Sequence, residues 1–370
     1  MLPGIENGGR KSPIQRLREL GQSLWLDNIS RAILDDGSLR SYIDVLSVTG
    51  LTSNPTIFNE AIGVTDAYND GIRAKSRAGH TCEALFEELA LEDLRRAADL
   101  FRPIFDATAG VDGWVSMELS PLLANNSADS IRAAARIWRQ ADRQNLFVKI
   151  PGTPAGIPAI EESIFNGVPI NVTLLFSREQ YLAAAAAYMR GIERRIAAGL
   201  DPHVGSVASL FVSRWDRAVN DKLPDDIRNR LGIAIAARTF RAYRELLASP
   251  RWRGLAAHGA RPQRLLWAST GSKDPKASDT LYIEALAAPD TIDTLPEKTL
   301  HAFAAHGHVS SAMAADGGDC EAMLARFAAA SIDVDQLAAE LQREGAQAFI
   351  KSWRELLQRL AAKSAALTAP

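Results

Sequence analysis

Short apolar runs recur along the chain, and each is followed by a segment whose apolar residues are spaced three or four apart. The runs cover Ser23–Asp27, Val48–Thr52, Gly113–Glu118, Leu146–Ile150, Pro169–Leu175, Val204–Phe211, Arg264–Ser269 and, more weakly, Thr291–Leu295. Runs of this length bounded by turn residues read as strands buried on both faces. The intervening segments read as amphipathic helices over 83–105, 131–141, 155–165, 178–198, 225–248 and 278–287. The last, 335–364, carries Leu337, Leu341, Phe349, Trp353, Leu356 and Leu360 on one face. Ser12-Pro13 reads as an N-cap and first helical residue, after an N-terminus (1–11) rich in glycine and expected to be loose.

Strand and helix in alternation predict a parallel α/β fold. Eight strands within 370 residues favour one (β/α)8 barrel spanning 1–370, with extra helices at both ends, over a doubly wound sheet. Neither GxGxxG nor GxxxxGK[ST] occurs, so those loops offer no nucleotide site. The glycines of Pro151-Gly-Thr-Pro-Ala-Gly156 are interrupted by prolines and read as a turn.

Composition narrows the partners. A net charge of −2 argues against nucleic acid or an anionic membrane as a partner. No apolar run reaches the roughly 18 residues of a membrane span, and the first residues lack the apolar core of a signal peptide. Cys82 and Cys320 form no metal-binding spacing, and two cysteines fit a reducing cytoplasm. His306-Gly-His308 could pair on a metal, but it reads first as two loop or helix-end histidines. The expectation is a cytoplasmic protein, a monomer or homodimer, with no metal and no organic cofactor.

One residue breaks the apolar pattern. Lys149 lies inside Asn145-Leu-Phe-Val-Lys-Ile-Pro151, where a strand is expected. Lysine is almost never buried without a partner, and a desolvated amine can attack a carbonyl carbon. A lysine at a strand end can also be structural, with its stem on apolar surface and its head in water. The other strand ends shift that balance. In a barrel, chemistry sits at the C-terminal ends of the strands. There the chain places Asp27, Thr52 with Asn54, Ser116 with Glu118, Asn171 with Thr173, Ser209 and Ser269. Each alone reads as an ordinary strand or turn residue. Together they describe a ring of hydroxyls, amides and carboxylates around an amine, suited to Schiff-base chemistry on a ketose.

At these residues the chain resembles the transaldolase family. Three segments carry the resemblance: Val48-Thr-Gly-Leu-Thr-Ser-Asn-Pro-Thr-Ile-Phe58, Asn145-Leu-Phe-Val-Lys-Ile-Pro-Gly-Thr-Pro-Ala-Gly156 and Ile170-Asn-Val-Thr-Leu-Leu-Phe-Ser177. It extends over about 15–360 and implies a (β/α)8 barrel. It implies transfer of a dihydroxyacetone unit from sedoheptulose 7-phosphate to glyceraldehyde 3-phosphate, giving erythrose 4-phosphate and fructose 6-phosphate, in the pentose phosphate pathway. It further implies Lys149 as the covalent residue, Glu118 as a proton shuttle through a bound water, and Asp27 as acid/base at the C4 hydroxyl. Thr52, Asn54, Asn171, Thr173 and Ser209 would hold the dihydroxyacetone hydroxyls or that water, and Arg214 the phosphate. The chain departs from the common family pattern after the seventh strand, in Ala268-Ser-Thr-Gly-Ser-Lys-Asp274. Ser269 is kept, but Gly271 stands where many members have a second phosphate-binding arginine. Lys273 or Lys276 could supply that charge, as a point charge rather than a fork. An aldolase of similar fold, a non-catalytic barrel and a portion of a larger fusion remain alternatives.

Overall fold

A computed structural model describes residues 11–368. Eight parallel strands close into a barrel in sequence order: β1 (Ser23–Leu26), β2 (Val48–Leu51), β3 (Trp114–Glu118), β4 (Leu146–Pro151), β5 (Ile170–Leu175), β6 (Ser206–Phe211), β7 (Arg264–Ala268) and β8 (Ile292–Leu295). All eight expected runs form strands, and the weak eighth closes the ring by pairing with both β1 and β7. Of the expected loose N-terminus, 1–10 lie outside the described residues, and Lys11 pairs with Glu19 at 2.7 Å.

The barrel interior is a packed core. Trp114 stacks on Phe147 with ring centroids 3.9 Å apart, and Trp25 lies 6.2 Å from Phe147 on the other side. Room for these rings comes from the residues beside them. A Cβ on Gly50 would fall 2.6 Å from the Trp25 ring, and one on Gly205 would fall 2.7 Å from Trp114. Large and small side chains thus alternate around one layer, as interlocking packing requires. Below this layer, Asp112 accepts hydrogen bonds from Trp25 Nε1 (2.7 Å), Thr49 Oγ1 (2.9 Å) and Ser23 Oγ. Arg264 donates to Ser23 Oγ and Thr291 O, each at 2.8 Å, which closes the N-terminal end of the barrel with satisfied polar groups.

Helices wrap this barrel. Ser12 caps Pro13–Leu20, as expected, and Gln15 completes a capping box with it. Cys82–Ala107, Ser127–Ala141, Gly156–Phe165 and Arg178–Ala197 match their expected ranges within a few residues. Expectation and structure part at 225–248, where the helix is Leu231–Ala248. Asn229 takes φ +58°, which breaks the helical path. The buried carboxylate of Asp216 then accepts from Leu231 N at 2.9 Å, so the helix start is set by a residue on another element. The expected 278–287 shortens to Leu281–Ala285. Several short helices carry too few apolar repeats to be expected from pattern alone, among them Pro55–Val64 and Ser213–Val219. The C-terminal helix runs from Val334 to Thr368 and crosses the mouth of the barrel. No described helix is long and apolar enough to cross a membrane.

One buried acid is unexplained by the packing. Asp293 lies on the outer face of β8, level with Leu24 and Trp267, fully buried, with neither carboxylate oxygen hydrogen-bonded among the described residues. Neighbouring Thr270 gives its hydroxyl to Thr294 O at 3.0 Å instead. Burial pushes the Asp293 pKa up to about 8. A folded-state pKa above the unfolded value means the folded protein favours the neutral acid. The penalty for ionising it is absent near pH 4, grows as pH rises, and is complete above pH 8. Asp293→Asn is therefore expected to be little different from wild type near pH 4. At pH 9 it should be more stable by on the order of a few kcal/mol. Urea melts across that range check this, and a gain independent of pH would contradict it.

Candidate active site

Lys149 and Glu118 are register partners on the adjacent strands β4 and β3. Both point into the barrel above the aromatic layer, and they are only 5 % and 6 % exposed. Lys149 Nζ lies 3.5 Å from Glu118 Oε2 and donates to Ser53 O at 3.1 Å. Neither Glu118 oxygen has a close hydrogen-bond partner among the described residues. Burial raises the Glu118 pKa to about 7, against the opposing charge of Lys149.

Asp27 follows β1 directly and is anchored through its amide to Leu295 O at 2.7 Å. Its carboxylate accepts from Thr52 Oγ1 at 2.8 Å, and Thr52 also meets Thr294 Oγ1 at 2.8 Å. Burial raises the Asp27 pKa, while Lys149, the Thr52 hydroxyl and Lys273 hold it back. The Lys149 charge therefore reaches Asp27, although the two arise from non-adjacent strands.

Above these groups lies a cavity of about 720 Å³. Asp27, Thr52, Asn54, Lys149, Thr173, Ser209, Arg214 and Ser269 all border it. Arg214 sits in the helix Ser213–Val219 with its guanidinium 5.1 Å from the centre of the Phe211 ring. Among the described residues nothing accepts a hydrogen bond from it. A half-buried guanidinium without a protein acceptor is a ready anion site.

The sequence model of the family described as transaldolase/fructose-6-phosphate aldolase matches residues 24–360. The chain belongs to that family. A transaldolase from Thiobacillus denitrificans is 43% identical over 349 residues, covering 92% of this chain and 97% of the relative. One from Saccharopolyspora erythraea is 42% identical over 354 residues, covering 94% and 96%. A protein from a Nostoc strain named transaldolase 2 is 37% identical over 366 residues, covering 94% and 96%.

The family motif residues divide by position. Thr173 is fully buried with its hydroxyl unpartnered among the described residues, and it faces the cavity. Asn171 lies deeper, off the cavity wall. It donates to Ser116 Oγ at 3.1 Å and accepts from Ser209 Oγ at 2.7 Å, which ties β3, β5 and β6 together beside Lys149. Asn54 borders the cavity while its Oδ1 caps the helix Pro55–Val64 through Ile57 N at 3.1 Å. Ser269 takes φ +57° and places its hydroxyl 2.9 Å from Ser213 Oγ. Gly271 and Lys273 border the same wall, whereas Lys276 does not.

Other residues on this wall escaped sequence reasoning. Arg217, one turn beyond Arg214, reads in isolation as a solvated helix arginine. Thr294 sits in the weakest strand. Leu341, Glu344 and Phe349 come from the C-terminal helix, far away in sequence. The histidine pair is accounted for by surface contacts: His306 Nε2 meets Asp279 Oδ1 at 2.9 Å, and His308 N donates to Glu284 Oε1 at 2.8 Å. No cluster of three or more potential metal ligands occurs among the described residues. A second cavity of about 860 Å³ lies at the opposite end of the barrel, beside Asp112 and Arg264. None of the site residues expected from the sequence borders it.

Because Lys149 lowers the Glu118 pKa while burial raises it, deleting the cation should leave burial unopposed. In Lys149→Met, the Glu118 carboxyl is expected to titrate above its wild-type value of about 7. Infrared titration of the protonated carboxyl band, assigned by its loss in Glu118→Gln, reads this directly. An unchanged or lower midpoint would show that the lysine charge does not act on Glu118.

Proposed function

We propose that this chain, a transaldolase by family, transfers a dihydroxyacetone unit between sugar phosphates in the cytoplasm through a Schiff base on Lys149. Sedoheptulose 7-phosphate would be the donor and glyceraldehyde 3-phosphate the acceptor, as in the pentose phosphate pathway. The observation that carries this reading is a buried amine paired with a high-pKa carboxyl at one end of a cavity whose other wall holds an acceptor-free arginine.

In this reading the Lys149 amine attacks the C2 carbonyl of the ketose. Glu118, poised near neutrality, passes protons to and from the carbinolamine oxygen as water leaves and the iminium forms. Asp27 then takes the proton of the C4 hydroxyl. The C3–C4 bond breaks, its electron pair moves toward the iminium nitrogen, and the shortened aldose departs. The enamine adds to the acceptor aldehyde by the reverse steps, and hydrolysis frees Lys149. Thr173 and Thr52 hold substrate hydroxyls, with Asn171 and Ser209 fixing the strand ends behind them. Asn54 and Ser269 line the path to the phosphate. Arg214 binds that phosphate, and Lys273 with Arg217 supplies the charge that a strand-7 arginine would give at Gly271.

Fructose 6-phosphate with borohydride is expected to leave a reduced dihydroxyacetone adduct on Lys149, read by peptide mass spectrometry. An adduct elsewhere, or none, would sink the mechanism. Lys149→Ala should abolish turnover, while Glu118→Gln and Asp27→Asn should slow it by on the order of 10²–10⁴-fold. Release of free dihydroxyacetone at the transfer rate without an acceptor would assign the chain to the aldolase side of the family.

Loss of Arg214 should act on binding. Arg214→Ala is expected to raise KM for the phosphorylated ketose roughly 10- to 100-fold, the loss of charge-assisted hydrogen bonds worth about 1.5–3 kcal/mol. Lys273→Ala should raise it less, since an ammonium gives no fork. Steady-state kinetics decides, and an unchanged KM in Arg214→Ala would remove the phosphate from this wall.

A further inference from the structure

The C-terminal helix does more than cover the barrel mouth. Gln342 and Gly345 lie three residues apart and share one face of it, flanked by the buried Leu341 and Phe349. The Gln342 amide donates to Gly152 O at 3.0 Å and to Leu174 O at 2.9 Å, so one side chain joins the ends of β4 and β5. Those ends are special. Leu174 takes φ +58°, a conformation that bulky residues rarely adopt, and the pairing of β5 with β6 shifts register between Val172 and Leu175. Such an outlier persists only where its surroundings hold it. Thr173, which faces the cavity, immediately precedes the kink, and Lys149 lies three residues before Gly152.

Gly345 meets the other end of the site. A Cβ at this position would stand 3.2 Å from Arg214 Nη1 and 3.0 Å from Leu174 Cδ2. The helix therefore passes directly over the guanidinium. Glycine weakens a helix interior, and here its missing side chain is the room in which Arg214 lies. Glu344, beside it on the cavity wall, adds a negative charge that acts on the same guanidinium.

We propose that the Gln342–Gly345 turn is a positioning element of the active site: Gln342 holds the β5 kink that aims Thr173, and Gly345 sets the place of Arg214. This rests on Arg214 and Thr173 serving as the phosphate and hydroxyl contacts of a transaldolase. The two ends of the site are then held by one turn of one helix, so changes in that turn alter binding and chemistry separately.

Gly345→Ala tests the Arg214 half. Alanine forms helix better than glycine, which offsets the tight approach to Leu174 Cδ2 at 3.0 Å, so Tm should change by no more than a few degrees. The added methyl should displace the guanidinium and raise both KM for fructose 6-phosphate and the inhibition constant of inorganic phosphate by on the order of tenfold. Its kcat should stay within about twofold, and borohydride trapping of unphosphorylated dihydroxyacetone on Lys149 should be unchanged. Gln342→Glu tests the other half, because it keeps the shape and removes the donor. It should lower kcat by on the order of tenfold and leave the phosphate inhibition constant alone, whereas Gln342→Asn restores part of the loss. Wild-type KM and phosphate inhibition in Gly345→Ala, or a fall in Tm with kcat, KM and trapping all impaired together, overturns the inference. An active wild type with these variant results overturns it alone. A wild type that neither forms the adduct nor is inhibited by phosphate overturns the transaldolase reading as well.

Discussion

Everything at the mouth of this barrel depends on burying one positive charge beside one negative charge. Lys149 and Glu118 lie level on neighbouring strands, roofed by the cavity and floored by stacked aromatic rings. Taking both charges out of water costs several kcal/mol per ion, and only close pairing and further hydrogen bonds offset it. The offset is incomplete. Lys149 gains Ser53 O as an acceptor, while Glu118 gains only the lysine at 3.5 Å. The carboxyl responds by moving its pKa to about 7, which lets it exist in either protonation state near neutrality. A tighter pair would leave a permanent carboxylate, and an open pocket would restore ordinary carboxyl behaviour. The intermediate geometry suits proton transfer.

Barrel closure extends that logic to groups distant in sequence. Asp27 follows β1, and the Lys149 charge acts on it from β4 because the ring brings the strand ends together around one axis. Two acids then share one cation, and the Asp27 charge adds to the burial that makes Glu118 harder to ionise. Thr52, just past β2, orients Asp27 and is itself met by Thr294 of β8. The aromatic layer makes this possible from below: Gly50 and Gly205 omit side chains so that Trp25, Trp114 and Phe147 can seal the floor.

Much of this was legible along the chain, for a physical reason. A strand buried on both faces must be apolar, so each of the eight runs announced itself, and a lysine within one stood out against that background. The motif residues at strand ends were legible because period-two alternation assigns them a face. What stayed hidden depends on tertiary partners. The helix expected from 225 begins at Leu231 because Asp216, on a different element, caps it. Arg217 has no local signature that separates it from a solvated arginine. Gln342 and Gly345 read as an exposed amide and a weak helix former until Gly152, Leu174 and Arg214 are placed beneath them. Asp293 sits in the weakest run, and nothing in its neighbours in sequence predicts complete burial.

The two ends of the barrel show how function can be told from support without reference to any motif. The larger cavity lies at the N-terminal end, yet its buried charges are matched: Asp112 takes three side-chain donors, and Arg264 reaches a hydroxyl and backbone carbonyls. That end is closed in the energetic sense, because a ligand would have to displace bonds already made. At the C-terminal end, Glu118, Thr173 and Arg214 are left without close partners among the described residues. Unmade hydrogen bonds in a buried place are costly to the apo protein. Others are scattered, Gln22 Oε1 and the Asp293 carboxylate among them, but here a carboxyl and a hydroxyl without partners lie together beside an amine and a guanidinium. The charges are thus paired at the N-terminal end of the barrel and left partly unpaired at the C-terminal end, the end at which barrels of this architecture carry their chemistry.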